Sequence, residues 1–482
     1  MPVDFASFRD PDGRVILTGE RVLRLVTPPA AATLLALTNT PALQRMVAEG
    51  QVISTCFLPP QTAESVVPGS SPDESWELLE HERISFPTYP SEWPPEMLHT
   101  AASLTVEIAL ELLPIGFGIK DATPYNVLFR GPKPIFIDVL SFERRDPGDP
   151  IWLPYAQFVR TFLLPLAASR HLGLPLDQVF LTRRDGLGPE EIYRWLPMSR
   201  RIRPPFLGLA SLPVWLDRFR KSGDAGLYRP RATQDTEKAR LVLGSLLKHL
   251  RRAVNQLAPR PGKISVWSAY AESNSYSPDA AHAKAELVDR ILRDCHPSRV
   301  LDVGANTGRF SEIAAGTGAS VVAIDTDPVV VGELWRRASS KDADILPLVV
   351  DIARPTPSIG WRNQECRSFV ARCQGHFDVV LMLAILHHLL VTERIPLPEL
   401  IDLVAELTTD FAIVEWVGSG DPMFQRLLRG RDHLYHHLSE DAFQTAAGRR
   451  FAVVSRHPLQ GMERTIYVLR KLEPGGHRQP TD

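Results

Sequence analysis

Three aspartates close short apolar runs in the second half of the chain. Asp302 ends the run in "VLDVGANTGRF", Asp325 the run in "ASVVAIDTD", and Asp351 the run in "DILPLVVD". Gly304 and Gly308 follow the first acid, with Asn306 between them. Glycine allows a sharp strand-to-helix turn and a close backbone approach to a ligand. A dinucleotide site would carry G-x-G-x-x-G. Here the spacing is G-x-x-x-G, so the tight cradle for a pyrophosphate is missing. An acid about twenty residues after the glycine turn suits a ribose diol. Acids at successive strand ends, without a phosphate cradle, fit a nucleoside with a cationic amino-acid tail. S-adenosylmethionine has that chemistry.

Methyl transfer is an in-line displacement that needs positioning and, for some acceptors, a base. No metal is expected. Candidate catalytic groups follow the fourth and fifth apolar runs: His387 and His388 in "AILHHLL", with His387 preferred, and Glu415 in "VEWVGSGDPM". A carboxylate on an apolar strand needs a partner, and for Glu415 that partner could be the substrate. Upstream, Trp267, Tyr276 and Lys284 in "VWSAYAESNSYSPDAAHAKAELV" could close over the cofactor, with Lys284 reaching its carboxylate. His433, His436 and His437 are spaced as on one helix face, which reads as a substrate lid and not a metal site.

These residues need a scaffold. From "SRVLDVG" onward, apolar strands alternate with helices of about ten residues, and "RRFAVVSRH" and "ERTIYVLRK" form a final antiparallel pair. That order predicts a doubly wound, mostly parallel sheet with the ligand at the strands' carboxyl ends. "LAPRPGK" marks a boundary after an amphipathic helix over 234–256, on which Leu243, Leu246, Leu250 and Val254 recur. The domains are therefore read as 1–258, a linker at 259–266, a cofactor domain at 267–472 and a disordered tail at 473–482. The fold class is α/β, a Rossmann-like sheet preceded by an α+β domain.

The C-terminal region, Trp267 to Lys471, resembles the class I S-adenosylmethionine-dependent methyltransferases. The resemblance implies that Asp302, Gly304, Asn306 and Gly308 lie near the methionine part of the cofactor. It places Asp325 on the ribose, and Asp351 and Ile352 beside the adenine. It places Leu383 and Ala384, which end the motif begun by Asp378, facing the cofactor. Asn306 stands where many members carry glycine.

In the first half, "FGIKDATPYNVLFRGPKPIFIDVLSFE" sets Asp121, Asn126 and Asp138 in the order of a protein-kinase catalytic base and metal ligands. No glycine-rich loop and no V-A-I-K lysine accompany them, so the region resembles a degenerate kinase or phosphotransferase lobe. Together the halves resemble the nodulation-protein type of methyltransferase, through "PTYPSEWP" (Tyr89, Glu92, Trp93), "KDATPYNV" and "FIDVLSF".

Composition narrows the partners. The net charge of -2 supplies no global field for nucleic acid. The basic stretches 199–205 and 218–221 read as solvated surface. Four cysteines without metal spacing read as reduced thiols in the cytoplasm. No secretory leader is expected, and no run approaches the roughly 18 apolar residues of a membrane span. The expected activity is S-adenosylmethionine-dependent methylation of a small-molecule, glycan or lipid-type acceptor. The alternatives are an ATP/magnesium-dependent phosphotransferase in the first half, or a non-catalytic interaction protein.

Overall fold

The computed structural model describes residues 4–5, 9–59, 76–218, 234–261 and 278–473. Trp267, Tyr276, most of the expected linker and nearly all of the expected tail lie outside them. Contacts divide the chain into two units. The first comprises Met1–Arg260 with Ile359–Cys366, and the second Pro261–Ser358 with Arg367–Asp482.

The first unit opens with an antiparallel sheet of β1 (Asp4–Phe5), β2 (Gly13–Thr18), β3 (Arg21–Val26), β4 (Thr55–Phe57) and β5 (Glu77–His81), ordered β1-β2-β3-β5-β4. Gly19, with φ 56, starts the two-residue turn between β2 and β3, a conformation that glycine adopts freely. Ile16, Leu23, Leu25 and Leu78 form the core of this sheet. Helix Pro95–Leu112 follows, then β6 (Phe117–Ile119), β7 (Val127–Arg130), β8 (Lys133–Phe136) and β9 (Phe142–Arg144). Strand pairs β6–β9 and β7–β8 frame the segment holding Asp121, Asn126 and Asp138. A five-stranded sheet, a long helix and then this loop make the unit α+β.

The segment Pro95–Ile115 is long and apolar enough to cross a membrane, which the sequence reading did not anticipate. Half of it is buried within the protein. Its outer face pairs Glu107 with Arg251 at 3.5 Å and Glu111 with Arg45. Helix Thr236–Gln256 buries Ala239, Leu243, Leu247, Leu250 and Val254. Leu247 therefore takes the buried place that the sequence reading gave to Leu246. Within Ile359–Cys366, Glu365 pairs with Arg9 at 2.5 Å and with Arg184.

The second unit is the expected α/β sheet. It contains β10 (Arg299–Val303), β11 (Ser320–Asp325), β12 (Ile345–Val349), β13 (Phe377–Met382), β14 (Thr408–Val417), β15 (Phe451–Pro458) and β16 (Arg464–Lys471). The order is β12-β11-β10-β13-β14-β16-β15, parallel through β14, with β16 and β15 antiparallel. Val300, Val321, Ala323, Val379, Leu381, Ile413 and Val468 belong to its buried core. The strand order reverses between β10 and β13, the kind of position at whose carboxyl ends open α/β sheets bind ligands.

Candidate functional site

Asp302 on β10 is in register with Ala323 on β11. Side chains alternate along a strand, so Asp325, two residues beyond Ala323, lies on the same face as Asp302. Asp302 is the last residue but one of β10, and Asp325 ends β11. Asp302 is buried and accepts a hydrogen bond from Ser311 Oγ at 2.6 Å. Burial pushes its pKa up to about 6, and the charge of Asp325 adds to the effect, against Ser311 and Lys284. Asp325 accepts from the backbone N–H of Asn306 at 2.9 Å and of Asp327 at 3.0 Å. Burial raises its pKa as well. Two acids strained toward neutrality at one crevice make it favourable for a cation.

The turn between them is left-handed at Gly304 (φ 74), Asn306 (φ 49) and Gly308 (φ 83). A Cβ at Gly304 would meet Ile385, and one at Gly308 would meet Leu334. Ile385 and Leu334 thus pack close against the two glycines, so that a side chain at either position would be strained. Ala384 is also left-handed, with φ 55, just after Leu383 at the end of β13. A non-glycine residue held there stores about 1–3 kcal/mol of strain, a feature that gathers at functional sites. Asp351 accepts from the Ala353 N–H at 2.9 Å and pairs with Arg354 at 3.4 Å, beside buried Ile352.

Lys284 and Glu415 meet each other. Lys284, on helix Pro278–Cys295, places Nζ 2.5 Å from Glu415 Oε2 and 5.1 Å from the Phe310 ring centroid. Arg464 reaches Glu415 Oε1 at 3.4 Å and grips Asp421 with two bonds, at 2.7 and 3.1 Å. All four side chains are buried. This corrects two expectations, since Lys284 engages Glu415 instead of a cofactor carboxylate, and the partners of Glu415 are cations of the protein itself. Sequence reasoning passed over Arg464, whose signal is an arginine heading the apolar strand "RTIYVL".

His387 is 1% exposed, and neither ring nitrogen has a hydrogen-bond partner among the described residues. Its ring lies 4.4 Å from that of His388 and 6.4 Å from Phe424, nearly parallel to the latter. Burial drives its pKa down to about 2, helped by the charges of His388, Arg464 and Lys284. His388 is half-buried, and burial lowers its pKa too. His433, His436 and His437 do not share a helix face. Helix Pro422–Leu428 stops at left-handed Arg429 and Gly430, and only a short 3-10 turn, Asp432–Leu434, follows.

In the first unit, Asn126 Nδ2 donates to the Asp121 carbonyl at 3.0 Å and to Ser141 Oγ at 3.1 Å. Ser141 Oγ donates to Asp138 at 2.5 Å, and Arg24 binds the other Asp138 oxygen at 2.7 Å. Burial pushes Asp138 upward, but Arg24 and Ser141 together hold its pKa below the usual value. Asp121 accepts from Gln157 Nε2, and burial raises its pKa. Arg24, on β3 in "RVLR", is thus the cation that neutralises Asp138. Among the described residues no three His, Cys, Asp or Glu side chains converge on a metal position.

A family model described as a methyltransferase domain matches residues 276–415. The nodulation protein NoeA of Rhizobium meliloti (strain 1021) is 30% identical over 472 residues, covering 97% of this chain and 96% of NoeA. The chain belongs to the NoeA nodulation-protein family. Its second unit is a methyltransferase domain. Among solved structures, WbdD is similar at 17% identity with a TM-score of 0.30, over 42% of each chain. The N-methyltransferase NodS of Bradyrhizobium japonicum WM9, in complex with S-adenosylhomocysteine, is similar at 16% identity with a TM-score of 0.31, over 41% of this chain and 90% of that one. At those TM-scores neither bears on the site of this NoeA-family chain.

Proposed function

We propose that the second unit binds S-adenosylmethionine at the β10–β13 switch point and methylates a polar small-molecule, glycan or lipid-type acceptor. The observation that carries this is the pair Asp302 and Asp325, facing one crevice beside a left-handed turn that lacks a triple-glycine cradle. The residues fit the ligand. Asp325 would accept from the ribose hydroxyls, Asp351 and Ile352 would border the adenine, and Asp302 would favour the cationic end. When bound, the sulfonium supplies an activated methyl carbon. His387, held neutral by burial, would serve as a hydrogen-bond acceptor that positions the nucleophile and not as the group that takes its proton. Lys284, Glu415 and Arg464 would hold the crevice wall. The four cysteines, all free, support a reducing compartment, the cytoplasm.

In the first unit Arg24 would compete with a magnesium ion for the Asp138 carboxylate, which disfavours phosphoryl transfer there. The test offers methyl-labelled S-adenosylmethionine and the full chain to the metabolite, glycan, lipid, RNA and protein fractions of a cell extract. Label is expected in one of the first three. Label confined to RNA or protein contradicts the acceptor class, and label in no fraction supports a non-catalytic role.

A further inference from the structure

β14 ends at Val417, and β16 begins at Arg464, its antiparallel partner in register. The loop after β14 and the turn before β16 therefore emerge at the same edge of the sheet. Between them lies a cleft of about 490 Å³, lined by Gly420, Asp421, Pro422, Gly461, Met462 and Glu463. That volume suits a small molecule.

Strand order locates the cleft relative to the crevice. Asp325 and Asp351 belong to the β11 and β12 side, the cleft to the β14 and β16 side, and β10 and β13 lie between. The buried ion pairs from Asp421 through Arg464 and Glu415 to Lys284 run along the wall that joins them.

The charges at the cleft are not equivalent. Asp421 is committed to Arg464 and to capping helix Pro422–Leu428 through the Met423 N–H at 2.8 Å. Glu463 is exposed, and the backbone holds it in place. Its Oε2 accepts from the Gly420 N–H at 2.9 Å, and its carbonyl accepts from the Gly418 N–H at 2.7 Å. The Glu463 carboxylate lies directly against Gly420, 2.5 Å from where a Cβ would stand.

We propose that this cleft is the acceptor subsite and that Glu463 selects acceptors presenting a protonated amine or clustered hydroxyls over anionic ones. The inference rests on reading the crevice as the methyl-donor site. The cleft itself is formed by protein loops alone, so its preference is measurable with or without donor.

The test uses three probes with one ring and three charges: glucosamine, glucose and glucuronate. Binding to the full chain is followed by ligand-observed NMR, with and without saturating S-adenosylhomocysteine. Glucosamine is expected to bind about three- to tenfold more tightly than glucose, and glucuronate most weakly. Glu463→Gln should erase the order, and Glu463→Lys should reverse it, with S-adenosylhomocysteine binding unchanged in both. Equal binding of the three sugars, binding of none, or an order that survives Glu463→Gln overturns the proposal. If S-adenosylhomocysteine fails to bind while the sugar order holds, the donor reading fails and the subsite stands as a binding site.

Discussion

His387→Leu is expected to stabilise the protein while reducing methyl transfer by up to about 10²-fold through lost positioning of the acceptor. A buried polar group without a partner costs about 1–3 kcal/mol, and His387 buries both ring nitrogens in that state among the described residues. Leucine removes the cost and fills similar space beside Phe424. For a unit of this size the gain corresponds to a melting temperature higher by roughly 5 °C. His387→Gln keeps a polar group that can accept a hydrogen bond, so it should retain more activity than leucine without the stability gain. Scanning calorimetry on the full chain and initial rates with the labelled donor measure both effects. A lower melting temperature for His387→Leu would show that the imidazole supports the fold. Rates within threefold of wild type would remove it from the chemistry.

Lys284→Met is expected to destabilise by about 3–5 kcal/mol, the usual result of breaking one side of a buried ion pair. The remaining arginine would face two buried carboxylates, Glu415 and Asp421, leaving one negative charge uncompensated. Its two hydrogen bonds to Asp421 are the better geometry, so Glu415 would lose the larger share of its compensating charge. The double variant Lys284→Met with Glu415→Leu removes both charges and should recover most of the loss, since apolar replacement of a buried pair is often close to neutral. Chemical unfolding of the four members of this cycle checks the claim. A single variant as stable as wild type, or a double variant no better than the single, contradicts it.

The second unit was legible because its strands are short apolar runs that end in acids or glycine. Those signals are local, and they set the sheet, the switch point and the face shared by Asp302 and Asp325. Lys284 and Glu415 stand 131 residues apart, and no local pattern announces that one neutralises the other. The packing of Ile385 and Leu334 against Gly304 and Gly308 was also hidden, because those contacts are remote in sequence. The three late histidines have helical spacing, but left-handed Arg429 and Gly430 end the helix before them. In the first unit the order of Asp121, Asn126 and Asp138 was readable. Arg24 was not, because its partner Asp138 lies 114 residues away. Ile359–Cys366 joins the first unit through Glu365, whose partners Arg9 and Arg184 are equally remote in sequence.

Calorimetric titration of the full chain with S-adenosylmethionine tests the central claim most directly. One saturable site per chain is predicted, competed by S-adenosylhomocysteine and weakened at least about 100-fold in Asp325→Ala, which removes a charged acceptor of two hydrogen bonds. Binding should tighten as pH rises through about 6, where Asp302 ionises and attracts the cation. Folded protein that gives no binding heat with S-adenosylmethionine, or that binds it unchanged in Asp325→Ala, would contradict the account.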